Sequence, residues 1–370
     1  AGDIADYELI SATGNLVRAD QVDYFGQPAG YTVDPQENIA YIAAHDNETL
    51  FDATQLKAPP ATSMADRVRI QNLGASLVIL GQGIPFIHAG QDILRSKSMD
   101  RDSFNSGDWF NAIDWTLMTT NWGIGLPVAE KNGDKWGLMA PLLADPALAP
   151  EPDDVFQSAE RFGELLRIRK SSRLFRLQTG DAVKEKVGFH NTGPQQIPGL
   201  IVMTVADARG DIDLGNELVV SLFNASDEPV SFPFAAMGRQ IELHPVLAGS
   251  VDPVVRGAYY DETADSFEVP ARTTAVFLAA RSVGDQIDYL EDLVDALEDT
   301  DVLNGGQANA LRAKLDAARE SADGNQNGAA ANQLTAFINQ VEALAAAGIL
   351  PPADAQELLD AAYTILAALG

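Results

Sequence analysis

The fold of the first part of this chain is read from the stretch Tyr41-Ile42-Ala43-Ala44-His45-Asp46-Asn47-Glu48-Thr49-Leu50-Phe51-Asp52. The apolar residues that lead into it, Ile39 to Ile42, predict a short buried strand. The polar cluster His45-Asp46-Asn47 follows directly after that strand. Many α/β folds bind ligands at the carboxyl ends of their strands, whereas Asp-Asn is also a favourable turn pair. From the residues alone, a ligand site and a surface turn both stay open for this cluster.

The chain alternates helical and strand-like segments up to about residue 178. Val68 to Leu80 and Phe156 to Lys170 carry apolar residues at helical spacing, so each segment predicts an amphipathic helix. Ile84 to His88 lies between them and predicts a short buried strand. Helix, short strand, polar loop and helix in this order are typical of an α/β protein.

The pattern changes twice further along the chain. Leu200 to Val205, Leu218 to Phe223 and Thr274 to Leu278 are strand-like runs separated by turns, which predict an antiparallel β-sandwich over residues 179–281. Residues 282–370 are rich in Ala and Leu, and their apolar positions mark four helix faces separated by glycine-containing breaks. We therefore predict three parts of α/β, β and α type, with residues 1–178 first and a small helical bundle last.

The composition excludes several classes of function. The chain has 53 acidic and 25 basic residues and a net charge of −28, so it lacks the basic surface that nucleic acid or anionic lipid requires. It has no cysteine, which excludes disulfides, thiolate zinc sites and cysteine nucleophiles. No apolar run is long enough to span a membrane, and no signal peptide is visible at the start. Acidic residues could hold a structural calcium ion, but no ligand loop is recognisable, so we expect no metal and no cofactor.

Tyr41 to Asp52 resembles the last short conserved region of the α-amylase clan, in the version found in pullulanases and limit dextrinases. The resemblance implies that Asp46 is the third active-site carboxylate, which grips the sugar at the cleavage point and stabilises an oxocarbenium-like transition state. It implies that His45 hydrogen-bonds a hydroxyl of the same sugar, and that Asn47 faces the acceptor side. An α-glucan polysaccharide is the substrate that this family takes.

A second stretch, Leu94 to Asn111, resembles the loop after the eighth strand of the same enzymes, and Gly83 to Gln91 resembles that strand. Sugar sites combine aromatic platforms with planar polar side chains, because sugar rings have apolar faces and hydroxyl rims. The resemblance therefore implies substrate-binding roles within this loop, for which we name Asp102, Asp108, Trp109 and Asn111. Phe110 is a further aromatic candidate in the same loop.

A retaining glycosidase also needs a nucleophile and an acid/base carboxylate. In the clan these precede the His-Asp stretch, and none of the acids before His45 lies in the family's nucleophile or acid/base motif. The resemblance thus implies the last two βα units of a (β/α)8 barrel over residues 1–178. We expect a C-terminal fragment of a starch-debranching enzyme that cleaves α-1,6 linkages in pullulan, amylopectin or limit dextrins with retention. We expect it to be inactive without the N-terminal barrel segment of the same gene product.

The helical tail has its own resemblance. Asn304 to Leu315 and Asn332 to Val341 resemble the FIMAH-type helical module, which is appended to secreted bacterial hydrolases. This resemblance implies a secreted or extracellular protein. A different class of function stays open: a non-catalytic carbohydrate-binding or attachment protein in which the β and helical parts act and the first part is a relic.

Overall fold

The fold is that of a computed structural model, which describes residues 2–370. The described chain forms two compact units. The first comprises residues 2–206 and 219–278, and the second comprises residues 207–218 and 279–370. The predicted boundary at residue 178 falls inside the first unit, whereas the predicted boundary at residue 281 lies close to the division between the units.

The first unit begins with two antiparallel hairpins. In one of them strand β1 (Glu8–Ile10) pairs with β2 (Leu16–Arg18). In the other, β3 (Asp23–Tyr24) pairs with β4 (Gln27–Pro28) across a turn of only two residues. Both turn residues have positive φ angles, 52° at Phe25 and 82° at Gly26, which is the backbone twist that a tight antiparallel hairpin requires.

A parallel strand pair follows and carries the polar cluster. Strand β5 (Ile39–Ala40) pairs in parallel with β6 (Ile84–Pro85). Between them lie helix α1 (Leu50–Lys57) and helix α2 (Met64–Leu80), so the predicted helix over 68–80 is confirmed and begins earlier. The predicted strand over 84–88 is paired only at its first two residues.

Helix α6 is the long helix of the segment after β6 and packs against α2. Four shorter α-helices accompany it, and with it they are α3 (Asp108–Asn111), α4 (Ala129–Asn132), α5 (Trp136–Leu143), α6 (Pro152–Ser171) and α7 (Gly180–Lys186). The predicted helix over 156–170 is therefore confirmed. Arg169, near the C-terminal end of α6, donates to the main-chain oxygens of Ile79, Gly81 and Gly83, which lie at and just after the end of α2.

Two sheets form the β region. The larger has the strand order β11-β14-β9-β8-β7, and its strands in chain order are β7 (Val187–Phe189), β8 (Leu200–Ala206), β9 (Asn216–Asn224), β11 (Ile241–Leu243) and β14 (Thr273–Ala280). The smaller has the order β10-β13-β12 and is antiparallel, with β10 (Val230–Pro233), β12 (Tyr259–Asp261) and β13 (Ser266–Val269). A short helix, α8 (Pro245–Ala248), follows β11. All three predicted strands are present.

Four helices make up most of the second unit: α9 (Val283–Asp299), α10 (Gly305–Asp323), α11 (Asn327–Ala346) and α12 (Pro352–Leu369). Consecutive helices pack on one another, and α12 also packs on α9. Their apolar stripes meet in one core that includes Leu290, Leu311, Leu334, Phe337 and Ile365, all completely buried. The predicted helical tail is thereby confirmed. Within residues 2–370, no helix combines the length and apolar character that a membrane crossing needs.

Candidate active site at the end of strand β5

The polar cluster lies just beyond β5, at the carboxyl end of the parallel pair. The side chains of His45 and Asp46 are 86% and 75% exposed, and His45 Nε2 lies 3.8 Å from Asp46 Oδ1. Asn47 is in the left-handed region at a φ of 62°. The chain turns here, and the turn presents an imidazole and a carboxylate side by side to solvent.

The loop that follows β6 is bound to this cluster through main-chain atoms. The amide of Asn47 donates to the carbonyl of Arg101 over 2.9 Å. The Arg101 guanidinium also pairs with Glu48 at 2.8 Å. Lys97 donates from Nζ to the carbonyl of His45 over 2.8 Å. Two stretches that are far apart in sequence are thus joined by hydrogen bonds and an ion pair.

The candidate sugar-contact residues of that loop differ in how available they are. Trp109 is 66% exposed and only its indole nitrogen is engaged, with the carbonyl of Ile124 at 3.3 Å. Asp108 is exposed at the start of α3, and Asp102 pairs with Lys131 at 3.2 Å. Asn111 donates its amide to two carbonyls of its own loop, which gives that amide a structural role.

Phe110 is buried, with 9% of its surface exposed, and cannot offer a platform to a sugar. It alternates with Trp109 along the short helix α3, so one ring faces the protein and the other faces solvent. Trp109 is therefore an exposed aromatic residue of this loop, as is Phe104, which is 79% exposed and has Lys131 Nζ 3.7 Å from its ring centroid.

A network of buried charges lies beneath the cluster, and the sequence contained no signal for it. Asp52 is completely buried on α1 and accepts from Ser96 Oγ at 2.5 Å and from the main-chain amide of Lys97 at 2.9 Å. Burial raises the pKa of the Asp52 carboxyl, and its hydrogen bonds act against that rise. Burial also lowers the pKa of the Lys97 ammonium. Asp52 ends the motif Tyr41 to Asp52 and Lys97 lies in the loop Leu94 to Asn111, but neither resemblance indicates that these charges are buried.

Asp100 has a similar role inside the loop. It is completely buried and accepts from the amide of Asp102, from Ser106 Oγ at 2.6 Å and from Asn132 Nδ2 at 3.0 Å. A carboxylate with several donors can close a loop around itself, because each donor recovers part of the lost hydration. The loop shape is therefore determined internally as well as by its contact with the cluster.

His88 follows β6 and is neutral at ordinary pH. Its Nε2 lies 3.3 Å from Arg95 Nη1. Burial, followed by the charges of Arg95 and Lys97, lowers the pKa of His88 to about 4. Among residues 2–370, no group of three or more His, Cys, Asp or Glu side chains is arranged to hold a metal ion.

Comparison with known proteins shows which family this chain resembles. Residues 117–280 match the family described as alpha-1,6-glucosidases, pullulanase-type, C-terminal. The chain is also 47% identical over 290 residues to Pullulanase 1, chloroplastic, of Arabidopsis thaliana, covering 76% of this chain and 30% of that protein. Residues 117–280 are therefore a pullulanase-type C-terminal domain. Residues 287–367 match the FIMAH domain, which confirms the resemblance of the tail.

Further relatives agree with the pullulanase-type assignment. The pullulanase of Klebsiella aerogenes is 41% identical over 207 residues, covering 56% of this chain and 19% of that protein. The crystal structure of apo pullulanase from Klebsiella pneumoniae superposes with a TM-score of 0.70 at 34% identity, covering 76% of this chain and 30% of that one. A structure of the Klebsiella pneumoniae enzyme complexed with maltotriose gives the same TM-score and identity, with 76% and 27% covered. The chain described here thus spans less than a third of the length of these relatives.

Proposed function

We propose that this chain is part of a starch-debranching enzyme that hydrolyses α-1,6-glucosidic linkages in pullulan, amylopectin or limit dextrins with retention. One observation carries the proposal: the exposed pair His45 and Asp46 stands at the carboxyl end of a parallel strand, against the loop that bears Trp109. Catalytic carboxylates of α/β barrels occupy this end of their strands. The pullulanase-type relatives supply the reaction class.

In this proposal Asp46 is the third carboxylate of the reaction. The Asp46 side chain is 75% exposed and lies near His45. Its carboxylate would face the positive charge that develops on the sugar ring as the glycosidic bond breaks. His45 would donate to a hydroxyl of the same sugar, and Asn47 would lie toward the acceptor. Trp109 would offer its face to a neighbouring ring, while Asp102 and Asp108 would bind hydroxyls at the rim.

We propose that the nucleophile and the acid/base come from a barrel segment outside these 370 residues. The pair β5 and β6, with helices α1, α2 and α6, would then be the last two βα units of a (β/α)8 barrel. Exposed apolar side chains along the pair support this, since Ile39, Tyr41, Ile84 and Phe86 are each 47–61% exposed. Such side chains on an unpaired strand edge are expected where a sheet continues.

The β region would be the sandwich that follows the barrel. Phe267 on β13 and Phe277 on β14 belong to different sheets, are both completely buried, and have ring centroids 4.7 Å apart. Tilted aromatic contacts of this kind between two sheet faces are typical of a sandwich core. For the FIMAH domain we propose an extracellular location and a role outside catalysis.

The test compares this chain with the complete enzyme, meaning the chain together with the segment that supplies the other two carboxylates. We expect the chain alone to release no reducing sugar from pullulan, and the complete enzyme to do so. Asp46→Asn keeps the side-chain shape and removes the charge, so it should lower kcat by roughly 10²-fold or more. Asp134→Asn, on an exposed aspartate of a short helix, is the matched control and should leave kcat unchanged.

Two results would contradict the proposal. Full activity of the Asp46→Asn enzyme would remove the assigned role of the carboxylate. A complete protein that binds pullulan but never cleaves it would favour the non-catalytic binding or attachment function.

A further inference from the structure

The ammonium group of Lys97 is buried directly beneath the candidate site. Only 1% of the residue is exposed, and its Nζ donates to the carbonyl oxygen of His45 over 2.8 Å. Its own main-chain amide donates to Asp52 Oδ2 over 2.9 Å, and Asp52 is completely buried. One lysine thus connects helix α1, the loop after β6 and the segment that carries Asp46.

We propose that Lys97, anchored through Asp52, is a positioning residue that holds the main chain of His45 to Asn47 so that the Asp46 carboxylate meets the sugar in one orientation. Lys97 does not touch the substrate in this scheme. The inference rests on the proposed function, because it assigns to Asp46 the role given there.

The segment needs such an anchor because its own side chains are in solvent. His45 and Asp46 are mostly exposed and pack against little that could hold them. Asn47 is in the left-handed region, which asparagine adopts more readily than most residues, so its own conformational preference does not hold the segment in one place. Contacts from other segments have to hold it. The contacts here are Lys97 to the His45 carbonyl and the Arg101 carbonyl to the Asn47 amide.

The anchoring loop contains backbone conformations that are uncommon for its residue types. Leu94, Ser98 and Met99 all have positive φ angles between 52° and 65°, and all three are completely buried. The loop therefore has few alternative conformations that keep its residues packed, which makes it a rigid support. Because the loop is rigid, the hydrogen bond from Lys97 Nζ can hold the His45 carbonyl in one position.

Packing alone is a weak reason to bury a lysine at this place. Desolvation of an ammonium group costs several kcal/mol, and an apolar residue of similar volume often stabilises a fold as well or better. Lys97 offsets that cost with the His45 carbonyl and with the nearby carboxylates of Asp52 and Asp100. What an apolar residue could not do is donate a hydrogen bond to the carbonyl that precedes Asp46.

Arg67 provides a matched control within the same unit. It is also 1% exposed, and it donates to the carbonyls of Thr54, Pro59 and Thr62, none of which belongs to the segment from His45 to Asn47. Lys97→Met and Arg67→Met each remove a buried cation that binds main-chain oxygens. Both should lower the thermal stability, but only the first should act on the active site.

The experiment measures kcat and KM of the complete enzyme on pullulan for the wild type, Lys97→Met, Lys97→Arg and Arg67→Met. We expect Lys97→Met to lower kcat by on the order of 10²-fold with KM changed less than about threefold, because misplacement of a catalytic group chiefly affects the transition state. Lys97→Arg keeps a donor and should recover part of kcat. Arg67→Met should retain the wild-type kcat below its melting temperature.

A second measurement on the 370-residue chain needs no activity. We expect Lys97→Met to shift the NMR signals of His45 to Asn47 and to speed hydrogen exchange at the Asn47 amide, whereas Arg67→Met should leave both unchanged. Equal loss of kcat in Lys97→Met and Arg67→Met, or an unperturbed Asn47 amide in Lys97→Met, would overturn the positioning role. An inactive wild-type enzyme would overturn the proposed function, and the NMR comparison would still decide whether Lys97 holds the segment. If Lys97→Met does not fold, Lys97→Leu, which also lacks a donor, takes its place in both measurements.

Discussion

Asp52, Lys97 and Asp100 are charged residues that solvent barely reaches, and each is bonded to the main chain of a loop. A buried charge without partners would cost several kcal/mol, so its partners are part of the fold rather than an addition to it. At the level of single residues, these buried charges therefore fix the conformation of irregular segments. Helices and strands satisfy their own main-chain groups, whereas a loop after β6 has to be given partners.

His244 shows how a single buried group makes stability depend on pH. It is 3% exposed, its Nδ1 accepts from the amide of Val246 at 3.2 Å, and its Nε2 lies 3.0 Å from Ser171 Oγ. Burial lowers the pKa of His244 to about 4. The unfolded chain binds a proton near pH 6.5 and the folded protein does not, so stability is fully present above pH 6.5 and falls as the pH drops toward 4.

We therefore expect thermal unfolding of the wild type to shift to lower temperature between pH 7 and pH 5. His244→Asn can still accept from the Val246 amide but does not titrate, so the variant should lose less stability over that range. The difference should approach about 1.4 kcal/mol per pH unit at most, the limit for one proton. His88 contributes in the same direction and keeps some slope in the variant. Identical pH slopes for both proteins would contradict the role given to His244.

Secondary-structure elements differ in what stabilises them. Asn304 caps the N-terminus of helix α10, and its side chain accepts from the amides of Gly306 and Gln307. The side-chain oxygen of Gln307 accepts in turn from the main-chain amide of Asn304. This capping box satisfies amides that the first turn would leave unpaired. The strands β5 and β6 have only two paired residues each, so strand pairing contributes little to holding them in place.

Phe337 on α11 tests how far the helical module depends on its apolar core. The ring is completely buried among Leu311, Leu334 and other core residues, so Phe337→Ala should destabilise this unit by about 3–5 kcal/mol through lost burial and a cavity. Tyr363 on α12 is 51% exposed, and Tyr363→Ala should cost much less. Hydrogen exchange of the α11 amides, followed by mass spectrometry, measures both effects. Similar exchange in the two variants would show that the core does not determine the module's stability.

At the scale of the whole molecule, the first unit joins parts that the sequence places far apart. Arg161 and Glu164 of α6 form a buried ion pair, and Glu164 accepts from Ser250 Oγ at 2.8 Å and from the Val251 amide at 2.9 Å. Arg69 of α2 reaches Asp252 in the same segment, at 3.2 Å. These bonds attach the α/β part to the β region. The two parts therefore belong to one compact unit, although their sequence patterns differ.

The strand pair β5 and β6 leads to a prediction about the molecule in solution. Ile39, Ile84 and Phe86 expose about half of their surface on a short parallel pair whose edges are unpaired. We expect the 370-residue chain to self-associate through this surface, since open apolar edges pair with other chains. Ile39→Lys with Phe86→Lys should shift the chain toward monomer in sedimentation velocity, whereas Met237→Lys, at an 84% exposed site elsewhere, should not. A wild-type chain that is monomeric at all concentrations would contradict this prediction.

Local patterns in the sequence predicted part of the regular structure, and two motifs indicated the family. Helices α2, α6 and α9 to α12 were predictable because amphipathic periodicity is a local property, and the Tyr41 to Asp52 motif indicated His45 and Asp46. Three features depend on the tertiary fold and had no local signal. Strand β6 pairs at only two residues, and Phe110 is buried. Asp52, Lys97 and Asp100 are buried beneath the candidate site. The physical reason is that the burial of a polar side chain depends on donors and acceptors from distant segments. No local pattern of charge or hydropathy records which distant groups will meet.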